Sequence, residues 1–347
     1  MPRGAVGLDI GTRTVHLVQL AAGRGGPTIT NFGGVSLPEG AVSEGEVVDP
    51  DAVGTSIKQL MAGTKIRSKD IHLGIANQRV VVRQIEIPWM EDEELRTSLP
   101  FQVQEFIPIP VEDAELDYHV LEDVQTDEAR TLRLLLVAAH KEMVASHLAA
   151  ISAAGLRAVS VDLNPFAILR TLGSDSSLQS GPEVLIDIGA GVTDIVVHEQ
   201  SVPRFVRILV LGGGDITDAL SSGLTVERDE AEQLKHQTSA KGAGPDPTAA
   251  RIVEDQAREF INEIRSSLDY YRTQVHSAPI SRVVLTGGGA LLDGLVERLG
   301  DALGLPVSLG NPFDRYPVKN TAFGPEELAQ VGPTLVTALG LALGGAE

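Results

Sequence analysis

A duplicated hairpin constrains this chain more than any other feature. Gly7-Leu8-Asp9-Ile10-Gly11-Thr12-Arg13-Thr14 and Ile186-Asp187-Ile188-Gly189-Ala190-Gly191-Val192-Thr193-Asp194 each place an aspartate at the end of an apolar strand, two residues before a glycine in a turn. A second apolar strand follows each turn, with Val15, Leu17 and Val18 in the first copy and the stretch up to His198 in the second. Glycine adopts positive φ readily and lets another group approach the backbone closely. Successive N–H groups in such a turn form a concave site for an anion. Gly11, Thr12 and Arg13, with Gly189, Ala190, Gly191 and Thr193, are therefore candidate phosphate contacts, and the Thr12 and Thr193 hydroxyls are extra donors. Asp9 and Asp187 stand beside the same anion, which a bare carboxylate repels. A Mg²⁺ ion that keeps part of its water shell removes the conflict, so both are candidate Mg²⁺ partners through water. A single hairpin of this kind reads as an ordinary turn; two at corresponding places read as a duplicated phosphate site.

Two further glycine runs fit the same chemistry. Val283-Val284-Leu285-Thr286 runs into Gly287-Gly288-Gly289 and then a helix, which suits close approach to a nucleoside or phosphate. Leu211-Gly212-Gly213-Gly214-Asp215 opens another helix, with Gly213 and Gly214 as candidate contacts.

The chain has 347 residues, more than one hydrophobic core usually serves. Its formal charge is −19 and it has no Lys/Arg cluster, so nonspecific nucleic-acid binding is not expected. It has no cysteine, which excludes disulfides and thiolate metal sites. Met1-Pro2-Arg3-Gly4 leads straight into a strand, unlike a signal peptide. The apolar run Leu335 to Leu343 is short for a span and reads as a buried helix started by Pro333, so no direct membrane insertion is expected. Periodicity predicts helices over 50–62, 91–106, 141–154, 165–172, 215–222, 226–237, 251–274 and 291–303. It also predicts strands over 71–76, 80–87, 116–124, 131–139 and 156–163, and a polar linker over 174–182.

The order of these elements resembles the actin-like ATPase superfamily, and within it the PilM family of type IV pilus assembly, which is related to FtsA. The matching stretches are Val6 to Leu20, Phe101 to Pro110, Val184 to Val197, Gly212 to Thr217, Glu230 to Lys235, Asn262 to Tyr271 and Val283 to Asp293. The resemblance implies an α/β, two-lobed actin-like (ribonuclease H-like) fold with an inserted small α+β subdomain of the FtsA type. It implies a first lobe over 1–36, 156–182 and 311–347, an inserted subdomain over 37–155, and a second lobe over 183–310 with an outer part at about 215–278. ATP with Mg²⁺ would bind between the lobes, with Glu232 and Lys235 on the ribose and base side. The implied partner is the short cytoplasmic N-terminal tail of a PilN-like inner-membrane protein, which would hold a cytoplasmic protein peripherally at that membrane. Self-association is left open. Trp89, Phe101 and Phe106 are the aromatic surface expected to meet the peptide.

Two positions depart from the family pattern. His16 stands where many relatives carry a lysine, and Arg13 is the neighbouring cation that could compensate. Asn164 precedes Pro165 where filament-forming relatives carry a glutamate that positions water. An amide can orient a water but cannot take its proton at neutral pH, and Asp162 lies two residues away in sequence. ATP binding with slow or absent hydrolysis follows as the expectation. The alternatives are a small-molecule kinase of the same superfamily and an FtsA-like filament or division protein. The latter usually ends in a basic amphipathic helix, unlike Leu341 to Glu347 here.

Overall fold

The computed structural model describes residues 4–23, 26–126, 129–173, 181–274, 278–319 and 323–346. Two five-stranded sheets share one topology. In the first, strand Val6–Ile10 pairs antiparallel with Thr14–Ala21, which pairs antiparallel with Thr28–Ser36. On its other side Val6–Ile10 runs parallel to Asp70–Ile75, and that strand runs parallel to Arg157–Leu163. The second sheet repeats the plan. Glu183–Ile188 pairs antiparallel with Thr193–Glu199, which pairs with Val202–Leu209; its other neighbour is parallel Arg282–Thr286, followed by Val307–Leu309. The sequence duplication is thus a duplication of sheets. Their central strands are mostly apolar because helices cover both faces.

Two helices lie between the sheets. Asn164–Leu172 packs Ile168 and Leu169 against Leu185, Val196 and Val284 of the second sheet. Val336–Gly344 packs Ala338, Leu339, Ala342 and Leu343 against Val18, Leu20 and Ile29 of the first. The helices cross at Gly340, where a Cβ would sit 1.9 Å from the Ala167 carbonyl oxygen, so a larger residue would force them apart. Arg170 closes the crossing by donating to the Gly340 carbonyl oxygen (2.7 Å) and pairing with Asp162 (2.8 Å). Full burial of each large aliphatic side chain here contributes about 1.5–3 kcal/mol. The stretch Pro325–Gly344 is long and apolar enough to cross a membrane by length and composition, but 61% of its window is buried inside the protein.

The separate small subdomain is narrower than the 37–155 segment expected from sequence. Its sheet comprises Val80–Pro88, Arg130–His140 and Ala114–Gln125, with Arg130–His140 central, and helix Asp92–Gln102 covers it through Leu95 and Leu99. Helices Pro50–Thr64 and Lys141–Ala153 instead join the core of the first lobe, where Val53, Ile57, Ala150 and Ile151 meet Leu8, Ile71 and Leu73. Amphipathic spacing reveals that a helix buries one face, not which sheet receives it. Most of the linker expected over 174–182 lies outside the described residues.

Helices Gly213–Leu224, Arg228–His236 and Pro247–Gln274 build the outer part of the second lobe. The last begins at Pro247, earlier than periodicity predicts, because Asp246 accepts from the N–H groups of Thr248 (2.7 Å) and Ala249 (3.0 Å).

Candidate functional site

A cavity of about 560 Å³ separates the lobes. The first hairpin lines it with Asp9, Gly11, Thr12, Arg13 and His16, and the second with Asp187, Gly189 and Ala190. Gly213, Gly214, Glu232, Lys235, Gly287, Gly288 and Gly289 also line it. Each turn is closed by one backbone bond, Gly11 N–H to Thr14 O (3.0 Å) and Gly189 N–H to Val192 O (2.9 Å). The glycine loop at 212–214 docks on the second turn, since Gly213 N–H donates to Gly189 O (2.9 Å) and Gly214 N–H to Ala190 O (2.7 Å). Gly287 is required by both conformation and space. Its φ is +85°, and a Cβ there would lie 2.2 Å from Asp187 Oδ1.

Two residues expected at an anion sit elsewhere. Thr193 is fully buried and its hydroxyl donates to Leu211 O (2.8 Å), tying the hairpin to the glycine loop rather than reaching the cavity. Gly191 faces Thr12 of the other hairpin; a Cβ there would be 2.8 Å from Thr12 Oγ1, so this glycine lets the two turns meet.

The cavity floor is acidic. Burial, then the charge of Asp187, raises the Asp9 carboxyl to about 7, against a smaller opposing effect of the Asn164 hydrogen bond. Asp187 is raised to about 6 by burial, opposed by the hydrogen bond from Thr337. Asp194 faces Asp187 across the hairpin, and burial followed by the charges of Asp187 and Asp9 holds its carboxyl well above the usual range. Asp194 Oδ1 is buried without a hydrogen-bond partner. These carboxylates would be stabilised by a nearby cation. Among the described residues no three His, Asp or Glu stand together as a direct metal cage. The donor set therefore suits a hard, hydrated cation held through its waters.

His16 lies on the strand opposite Asp9, and burial lowers its imidazole to about 4, so it faces the cavity neutral. Asn164 Nδ2 donates to Asp9 Oδ1 (3.2 Å), while its own Oδ1 is buried without a partner. Asp162 is turned away to Arg170. Lys235 Nζ bonds Glu232 Oε2 (2.8 Å), Thr217 Oγ1 (2.8 Å) and Gly213 O (3.0 Å), so the pair forms one network with the glycine loop. Of the three aromatics expected at a peptide, Phe101 is 82% exposed. Trp89 and Phe106 pack onto the small subdomain's core, and Arg130 covers the Trp89 ring at 4.0 Å.

One cavity residue, Arg228, and two buried residues paired with Asp187 behind it, Asp194 and Thr337, escaped the sequence reading. Asp194 had a signal, since hairpin register places it opposite Asp187. Arg228 shares a helix face with Glu232 and Lys235 at spacings of four and seven, and it lines the cavity. Thr337 donates to Asp187 Oδ2 (2.7 Å) from the C-terminal helix, and no local pattern could have revealed that.

Duplicated sheets closing on paired Asp-x-Gly hairpins define the actin-like ATPase fold class. The profile of the family described as Type IV pilus assembly protein PilM matches residues 7–346, and the chain belongs to that family. A PilM–PilN type IV pilus biogenesis complex has been solved whose matching chain is 31% identical, with 100% of both chains covered and a TM-score of 0.88. Cell division protein FtsA of Streptococcus pneumoniae is 26% identical over 363 residues, 91% of this chain and 77% of its own. MreB5 of Spiroplasma citri, solved with ADP, shares the fold at a TM-score of 0.53 and 13% identity, covering 99% of this chain and 96% of its own.

Proposed function

We propose that this protein is a cytoplasmic, ATP-binding adaptor of the type IV pilus inner-membrane platform, held at the membrane by the N-terminal cytoplasmic tail of a PilN-like protein. The convergence of both Asp-x-Gly hairpins and the Gly287-Gly288-Gly289 turn on one interlobe cavity carries this reading. Turn N–H groups of Thr12, Arg13 and Ala190 receive phosphates, while Gly11 and Gly189, whose own N–H groups close the turns, let the phosphates approach the backbone. Gly287 to Gly289 let the nucleoside lie against backbone, and Glu232 with Lys235 face its ribose and base. When bound, Mg²⁺ supplies the positive charge that lets phosphates share the cavity floor with Asp9 and Asp187. Fold relatives solved with ADP and AMPPNP support nucleotide as the occupant. The relative solved with PilN supports the partner. The charge of −19 disfavours direct contact with anionic lipid.

Hydrolysis is slow or absent in this reading. Asn164 holds Asp9 and offers an amide, not a base, to an attacking water. Nucleotide would act by closing the lobes and changing the surface offered to the peptide. The test is a calorimetric titration with a synthetic peptide of the N-terminal cytoplasmic residues of the PilN encoded with this protein. Binding whose affinity changes with Mg²⁺-ATP is expected. Absence of binding in both conditions would refute the adaptor role, and equal affinity in both would refute the coupling.

A further inference from the structure

Glu39 has no part in the site described so far, yet it stands between the two lobes. It follows strand Thr28–Ser36, where Leu37 N–H donates to Arg13 O (2.8 Å) and fixes this loop beside the first hairpin. Glu39 Oε1 lies 3.4 Å from Arg13 Nη1 of the first lobe and 3.7 Å from Arg228 Nε of the second. One carboxylate oxygen thus sits between guanidiniums from opposite walls of the cavity. Both arginines line that cavity, and Arg228 also pairs with Asp218. The Glu39 side chain is 73% exposed, and such solvent-washed pairs are weak. A phosphate binds guanidinium more strongly than this, through paired charge-assisted hydrogen bonds.

We propose that Glu39 is a displaceable anion that bridges Arg13 and Arg228 across the cavity mouth, and that a nucleotide polyphosphate takes over both guanidiniums when it enters. The displacement rests on the nucleotide reading above; the bridge itself does not. Glu39 thereby ties the lobes in the empty protein and competes with the ligand in the loaded one. His16, neutral and without a fixed charge, leaves these arginines as cations that a polyphosphate can recruit from both lobes.

The absence of cysteine makes the bridge directly measurable. Lys58→Cys and Glu259→Cys place spin labels at exposed helix positions, one on each lobe. Without nucleotide, Glu39→Gln is expected to broaden the interlobe distance distribution. Asp229→Asn, which removes an equal charge from the same cavity rim, should leave it unchanged. In calorimetry with Mg²⁺-ATP, Glu39→Gln is expected to tighten binding about threefold to tenfold, the scale of two exposed ion pairs. That gain should vanish in an Arg13→Gln/Arg228→Gln background, because the partners it acts through are gone. An unchanged distance distribution overturns the bridge. An equal gain from Asp229→Asn, or one that persists in the double-arginine background, overturns the displacement and leaves only a general charge effect. If the wild type binds no Mg²⁺-ATP, displacement and nucleotide reading fall together, and the label distances decide the bridge alone.

Discussion

Asp9→Asn should move stability and ligand binding in opposite directions. In the folded protein the Asp9 carboxyl titrates at about 7 instead of the ordinary 3.8, chiefly because it is buried. The folded state therefore holds its proton through a range where the unfolded chain has released it. Stability from this group is full below about pH 4, falls as pH rises towards 7, and is flat above. Each tenfold difference in proton affinity between the folded and unfolded states corresponds to about 1.4 kcal/mol. Between pH 5 and pH 8 the loss has a ceiling of roughly 3 kcal/mol for a single group. Water reaching the cavity floor and the proton shared with Asp187 and Asp194 reduce this to on the order of 1–2 kcal/mol. Asparagine keeps an acceptor oxygen for Asn164 but carries no charge. In urea unfolding without Mg²⁺, the advantage of Asp9→Asn over the wild type should grow by about 1–2 kcal/mol between pH 5 and pH 8. With Mg²⁺-ATP present the order should reverse, because the wild type gains ligand stabilisation that the variant lacks. A constant destabilisation at both pH values would refute the account of a strained carboxylate floor.

Two other expectations follow from particular residues. Gly287→Ala should cost about 2–4 kcal/mol in urea unfolding, combining a positive φ with a clash on Asp187. Gly304→Ala also has a positive φ but meets nothing within 4 Å, so its cost should stay near about 1 kcal/mol; equal costs would remove the argument from close approach. ATP turnover should stay well below about 1 s⁻¹ in a phosphate-release assay, and a rate at or above that value would contradict the role given to Asn164.

Much of the fold was legible because its decisive features are local. The two hairpins announce themselves by an Asp two residues before a Gly between apolar strands, and they occupy the same place in both sheets. What stayed hidden depends on long-range packing. The helices at 50–64 and 141–153 carry the amphipathic pattern of any surface helix, and only the sheet they pack against together assigns them to the first lobe. Thr193 was assigned to an anion although its hydroxyl serves Leu211, since sequence spacing places a residue in a turn without fixing where its oxygen points. Thr337 and Asp187 are 150 positions apart and meet because the C-terminal helix returns to the first lobe beside the cavity. The ion pair of Glu39 and Arg228 likewise joins a loop to a helix whose approach no periodicity encodes.

The most direct test is calorimetric titration of Mg²⁺-ATP into the wild type and into Asp187→Asn, with folding of both checked by circular dichroism. The substituted amide would still offer an oxygen to Thr337 but no charge to a cation. Saturable binding by the wild type, weakened at least tenfold in the variant, is the predicted result. Wild-type binding that the variant retains undiminished, or no binding by the folded wild type, would contradict the claim that the paired aspartates floor a nucleotide site.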